Sequence, residues 1–170
     1  GATISVGTAQ ATITGVTLST IRALGDRGSI LVLCRGKGTS VSRANDVAAD
    51  RSQLPENAQT EAVCHYIESE IGANSTLAQC LRKGVAYHHA GLSQETRWLI
   101  ESLIRKNLVQ VICGTTTLAQ GVNFPITTVI VETLRKGAKD LNYQDFWNIA
   151  GRAGRALMDT IGIVVFPIIS

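Results

Sequence analysis

SILVLC, Ser29–Cys34, followed at once by Arg35-Gly36-Lys37, decides the fold. A short, continuous apolar run that ends on turn residues reads as a strand buried on both faces, because a half-exposed strand would alternate. Runs of similar character recur on its C-terminal side: GVAYHH (84–89), LVQVIC (108–113), TTVIVE (127–132) and IGIVVFP (161–167). Helical periodicity fills the gaps. Ser40–Asp50 places Val41, Ala44, Val47 and Ala48 on one face, Glu61–Ile71 is amphipathic, and Leu77–Leu81 is shorter. Gln94–Lys106 follows a Ser93 cap, and Asp145–Arg155 is the last predicted helix. On the N-terminal side, a helix is expected over Thr17–Leu24 with Thr17 or Ser19 as its cap. Residues 1–16 read as a linker or edge strand. Strands alternating with helices predict one α/β domain around a central, mostly parallel sheet covered on both faces. Ligands of such sheets gather at the carboxyl ends of the strands. The loops that matter are therefore those after Cys34, His89, Cys113 and Glu132.

Composition fits that reading. Of 170 residues, 45% are apolar and 17% charged, which describes one globular domain rather than a disordered chain. The net charge of +3 permits a local patch for a polyanion without demanding one. Cys34, Cys64, Cys80 and Cys113 form no CxxC pair and lack metal-ligand spacing, so reduced core thiols are expected, as suits the cytoplasm. Adjacent His88 and His89 on a strand would point to opposite faces and so cannot chelate one metal. No apolar run reaches the roughly 18 residues of a membrane span. The chain opens on Gly1 rather than Met, which leads us to expect further protein upstream.

Three segments carry candidate chemistry. RGKGTS (35–40) looks like a phosphate loop, but a Walker A loop needs glycine where Leu31 stands and Ser or Thr where Gly38 stands. No DExH box is present either, so the chain is not expected to be a self-contained NTPase. Arg35 and Lys37 suit a backbone phosphate as point charges, or simply a basic turn capping a strand. CGTTTLAQGVNFP (113–125) offers hydroxyls and backbone amides for a phosphate oxygen, with Gly121 permitting close approach; helix capping would use the same residues. In NIAGRAGRA (148–156), Arg152 and Arg155 share one helix face notched by Gly151 and Gly154. Two guanidiniums there could clamp a transferring phosphoryl group, or belong to a basic surface helix.

In order and spacing, these segments resemble the superfamily-2 helicases, most closely their superkiller-like branch. LVLCRGK resembles motif IV. GVAYHHAGLS with Arg97 and Ile100-Glu101 resembles motif IVa, GTTTLAQGVNFP motif V, and QDFWNIAGRAGR motif VI. The resemblance covers about residues 29–166. It implies a three-layer RecA-like domain of the P-loop NTPase type over residues 17–170, with a helical insertion at about 51–83. It also implies that the chain is the second RecA-like lobe of an ATP-dependent helicase. By the same resemblance, Arg152 and Arg155 reach across a cleft to the triphosphate as arginine fingers, and Gly121 and Asn123 line the nucleotide side. Thr115 and Thr116 meet a nucleic-acid phosphate, His89 and Gly91 lie near the strand's path, and Arg35 and Lys37 match motif IV more loosely. The implied cofactor is ATP with Mg²⁺ held by the first lobe. The implied partners are DNA or RNA and that first lobe, not a membrane. The implied setting is the cytoplasm, with the nucleoid or nucleus as alternatives. Asn148 replaces the usual Gln, which shortens one hydrogen-bonding arm. Ile149 leaves two arginines for the clamp, not three. Without an ATPase partner, the same fold would serve as a non-catalytic nucleic-acid-binding or protein-interaction domain.

Overall fold

A computed structural model describes residues 12–25, 28–115, 118, 124, 126–133, 135–136, 139–140, 144 and 163–167. The elements run α1 (Ile13–Leu24), β1 (Ile30–Cys34), α2 (Lys37–Ala49), α3 (Ala58–Ile71), α4 (Thr76–Leu81), β2 (Val85–His88) and α5 (Gln94–Arg105). They continue with β3 (Val111–Thr115), β4 (Thr128–Val131), the short β5 (Arg135–Lys136) and β6 (Lys139–Asp140), and β7 (Ile163–Val165). Among the described residues, five strands form one sheet in the order β2-β3-β1-β4-β7, and each of these pairings is parallel. β5 and β6 make a separate antiparallel pair. The protein is an α/β fold around a parallel sheet, as the alternating pattern predicts, and is consistent with the RecA-like domain that the resemblance implies.

β1 lies at the centre, and all five of its residues are buried, as its unbroken apolar run requires. β2 lies at one edge, where successive side chains go to opposite layers. The Tyr87 hydroxyl lies 3.4 Å from Thr76 of α4, whereas His88 Nε2 lies 3.2 Å from Glu101 of α5. α4 and α5 both pack against β2, and α3 packs against both of them. All four cysteines are free and buried, and burial pushes the Cys64 and Cys80 thiols up to about 11.

Several boundaries differ from expectation, each for a local reason. α1 starts at Ile13, so its cap is Thr12, whose hydroxyl accepts from the Gly15 amide at 3.0 Å; Thr17 and Ser19 lie inside the helix. α2 starts at Lys37 rather than Ser40. Gly36 takes the N-cap position, so what reads as a glycine-rich turn is already the first turn of a helix. β3 begins at Val111, not Leu108, and runs on through Gly114 to Thr115. The Ser93 cap is as expected, with its hydroxyl accepting from the Thr96 amide at 3.1 Å. The helix expected over Asp145–Arg155 lies outside the described residues.

Close packing near the end of β3 calls for glycine at Gly114. A Cβ there would run into Leu118 Cδ2 and sit 3.3 Å from the His88 carbonyl oxygen. Leu118 is buried and therefore constrained. Gly114→Ala is expected to lower stability by about 1–3 kcal/mol through overpacking. Urea denaturation checks this, and an unchanged midpoint would show that Leu118 yields freely.

Candidate nucleic-acid interface

The topology marks one place on the carboxyl edge. From β1 the chain enters α2, which packs on β3 and β2 and leads toward the β2 edge. From β3 the chain goes the other way, past β1 to β4. β1 and β3 are neighbours whose outgoing connections diverge, and such a switch point opens a crevice beyond the strand ends. The register brings the candidate residues to its rim. Cys34 pairs with Thr115 and His88 with Gly114, so Thr115 lies between the segment leaving β1 and the segment leaving β2. Neighbouring strands are about 4.8 Å apart, which puts those flanking segments about 10 Å from each other.

Arg35 is exposed directly after β1, and Lys37 is exposed in the first turn of α2. Across the crevice, His89 follows β2 and is half-buried. Its ring stacks on Tyr87 with centroids 5.7 Å apart and an interplanar angle of 12°. His89 Nδ1 accepts a 3.1 Å hydrogen bond from the Gly91 amide, which places the proton of the neutral ring on Nε2. A Cβ on Gly91 would lie 3.1 Å from His89 Cε1 and Nδ1 and 3.3 Å from Lys37 Nζ. Lys37 therefore reaches from the β1 side of the crevice to the β2 side, and glycine leaves room for it. Burial, then the Lys37 charge, hold His89 below the ordinary histidine range. The structure thus brings Lys37, His89 and Gly91 together and aligns Thr115 and Arg35 beside them. Thr115 is the last residue of β3 rather than part of a turn. Thr116, Gly121, Asn123, Arg152 and Arg155 lie outside the described residues.

Behind this edge is a buried ionic network that inspection of the sequence missed. Arg43 of α2 donates through Nε to Glu132 at 2.7 Å, and through Nη1 to Thr14 at 2.6 Å and Asp46 at 2.9 Å. The Thr17 hydroxyl donates to Glu132 at 2.5 Å. Both charges are nearly sealed from solvent, with side-chain exposures of 8% and 4%. Burial opposes the Arg43 charge, but Glu132 foremost, together with Cys34 and Asp46, keeps the guanidinium above its ordinary value. Tyr87 was missed too, although i, i+2 spacing on a strand puts it on the His89 face.

At the opposite end of the sheet, a cleft of about 280 Å³ is lined by residues that include Leu54, Arg82 and Leu108. No sequence-predicted site residue borders it. Among the described residues, no cluster of His, Cys, Asp and Glu is placed to hold a metal ion, and no helix is long and apolar enough to cross a membrane.

Comparison with known proteins gives this edge its context. Residues 46–157 match the helicase conserved C-terminal domain, and the chain belongs to that family. It is 30% identical over 151 residues to the ATP-dependent DNA helicase Hel308 of Methanococcus vannielii, covering 84% of this chain and 20% of that protein. It is 44% identical over 89 residues to a Helicase POLQ-like protein of Caenorhabditis elegans, covering 52% of this chain and 10% of that protein. A 100-residue stretch is 41% identical to the Hachiman protein HamB of Bacillus cereus, covering 58% and 9% of the two chains. The chain therefore spans a fifth or less of each of these relatives.

Proposed function

We propose that this chain is the second RecA-like lobe of an ATP-dependent helicase or translocase of the superkiller-like branch of superfamily 2. In this reading, a first lobe of the same protein holds ATP and Mg²⁺. Arg152 and Arg155 reach the triphosphate from this lobe and stabilise charge on the γ-phosphoryl oxygens as that group passes from the ADP leaving group to water. Gly121 and Asn123 line the nucleotide side. Lys37, Arg35, Thr115, Thr116, His89 and Gly91 make part of the nucleic-acid track. The helices within 51–83 are the insertion that this branch carries before its HHAG segment. The cytoplasm, nucleoid or nucleus would house such a protein.

One observation carries the reading. In a helicase C-terminal domain, the β1/β3 switch point is rimmed by Lys37, Thr115 and His89, from three separated segments of sequence. A cation, a hydroxyl and an imidazole N–H are donors matched to phosphodiester oxygens. The Methanococcus relative is an ATP-dependent DNA helicase, which favours ATP as the fuel and DNA over RNA as the substrate.

Fluorescence anisotropy with a labelled single strand over a salt series tests the track. Binding by the 170-residue chain should weaken as salt rises, and Lys37→Ala should reduce the log–log slope by about 1, one phosphate contact's worth. A slope unaltered by K37A would remove Lys37 from the track. Binding insensitive to salt would remove the track altogether.

A further inference from the structure

We propose that the track's contact at His89 is proton-linked: when a nucleic-acid phosphate settles beside Lys37, His89 lets go of the Gly91 amide, takes up a proton and becomes a second cation on that phosphate. The proposal rests on the nucleic-acid reading above and adds a charge change that the reading does not require.

The geometry without a ligand favours the neutral ring. Nδ1 is already used as an acceptor for the Gly91 amide, so a proton there would set donor against donor. The ammonium of Lys37 lies within 3.3 Å of a point that is 3.1 Å from the ring's Cε1 and Nδ1, so a charged imidazole would face a like charge at close range. The other neighbours do not relieve this. Tyr87 offers its ring face, and its hydroxyl is turned to Thr76 of α4. His88 turns to Glu101 of α5, so that carboxylate serves the other histidine, and Arg97 of α5 adds positive charge on that side. Thr115 at the end of β3 is uncharged, and Arg35 beyond β1 is a further cation.

A phosphodiester reverses the balance. Its negative charge offsets Lys37, and its oxygens accept from the imidazole. The carbonyl of His89 holds the loop separately, accepting from the Leu92 amide at 3.1 Å, so the ring can turn without unravelling it. Proton uptake on binding means that the bound ring's pKa lies above the free one. The extra affinity is then fully present below the free value and is lost as pH rises through the bound value.

The test is anisotropy of a labelled oligothymidine with the full 170-residue chain, at constant ionic strength, between about pH 8 and pH 5.5. Affinity should rise about tenfold toward the acid end, which corresponds to one unit of pKa difference. His89→Gln keeps a neutral hydrogen-bonding side chain and should flatten the profile while retaining the salt dependence. His65→Gln should leave the slope as it is. The imidazole resonance of His89 should titrate at higher pH when the strand is bound. Equal slopes for the parent chain and H89Q, or a His89 titration unmoved by the strand, would overturn the proton link while leaving the track standing. Absence of strand binding at every pH would remove the track, and the link with it.

Discussion

Replacing Arg155 with alanine, in a protein that joins this chain to the nucleotide-holding lobe proposed above, is expected to lower ATP turnover by a factor of about 10³ or more. The γ-phosphoryl group carries negative charge on three oxygens as it passes to water, and a guanidinium pre-positioned against them lowers the barrier more than it strengthens ground-state binding. The effect should therefore fall on kcat, with ATP affinity and strand binding changing much less. Steady-state ATPase assays at saturating nucleotide, with anisotropy for the strand, separate these quantities. Arg152→Ala should behave likewise. Turnover within a factor of two of the parent protein would exclude the replaced arginine from the reaction.

The second large effect concerns stability. Glu132→Ala should destabilise the fold by about 3–5 kcal/mol, because it leaves the Arg43 guanidinium charged, buried and short of its main partner. The Glu132 carboxylate also accepts from Thr17, so the change loosens α1 from the end of β4 as well as α2 from β4. Replacing both members with apolar residues of similar volume should cost far less than either single change, since no uncompensated charge then remains. Thermal and urea unfolding of E132A, the Arg43→Met partner change and the pair would check this. Additive losses in the double variant would show that the two side chains act independently.

These two results draw on different sources of information. The sheet was legible because strands buried on both faces leave unbroken apolar runs, as at Leu31–Leu33 and Val111–Cys113. The Ser93 cap was legible because capping chemistry is local. The start of α2 was not: Gly36-Lys37-Gly38 has the composition of a loop, and the residues that anchor the helix on the sheet, Ala44, Val47 and Ala48, lie further along it. α1 was extended by a Thr12 cap followed by Ile-Thr-Gly-Val, residues of modest helix propensity that burial of Thr17, Thr20 and Ile21 supports. The candidate site divides in the same way. Lys37 and His89 could each be named from the strand they follow, but their meeting at Gly91 depends on β3 inserting between β1 and β2. The Arg43–Glu132 pair joins residues 89 apart, and no local pattern signals it. The roles of Arg152 and Arg155 stand on motif resemblance, which reads chemistry from order and spacing rather than from contacts.

ATP turnover by the chain alone, and then by the chain joined to the proposed nucleotide-holding lobe, tests the central claim most directly. The chain has neither a Walker A lysine loop nor a DExH carboxylate, so alone it should release no phosphate above background, with or without single-stranded nucleic acid. Joined to the other lobe, it should support strand-stimulated hydrolysis that disappears with Arg155→Ala. Turnover by the isolated chain that is itself lost on Arg155→Ala would contradict the account, because the phosphate would then be held and cleaved without a second lobe.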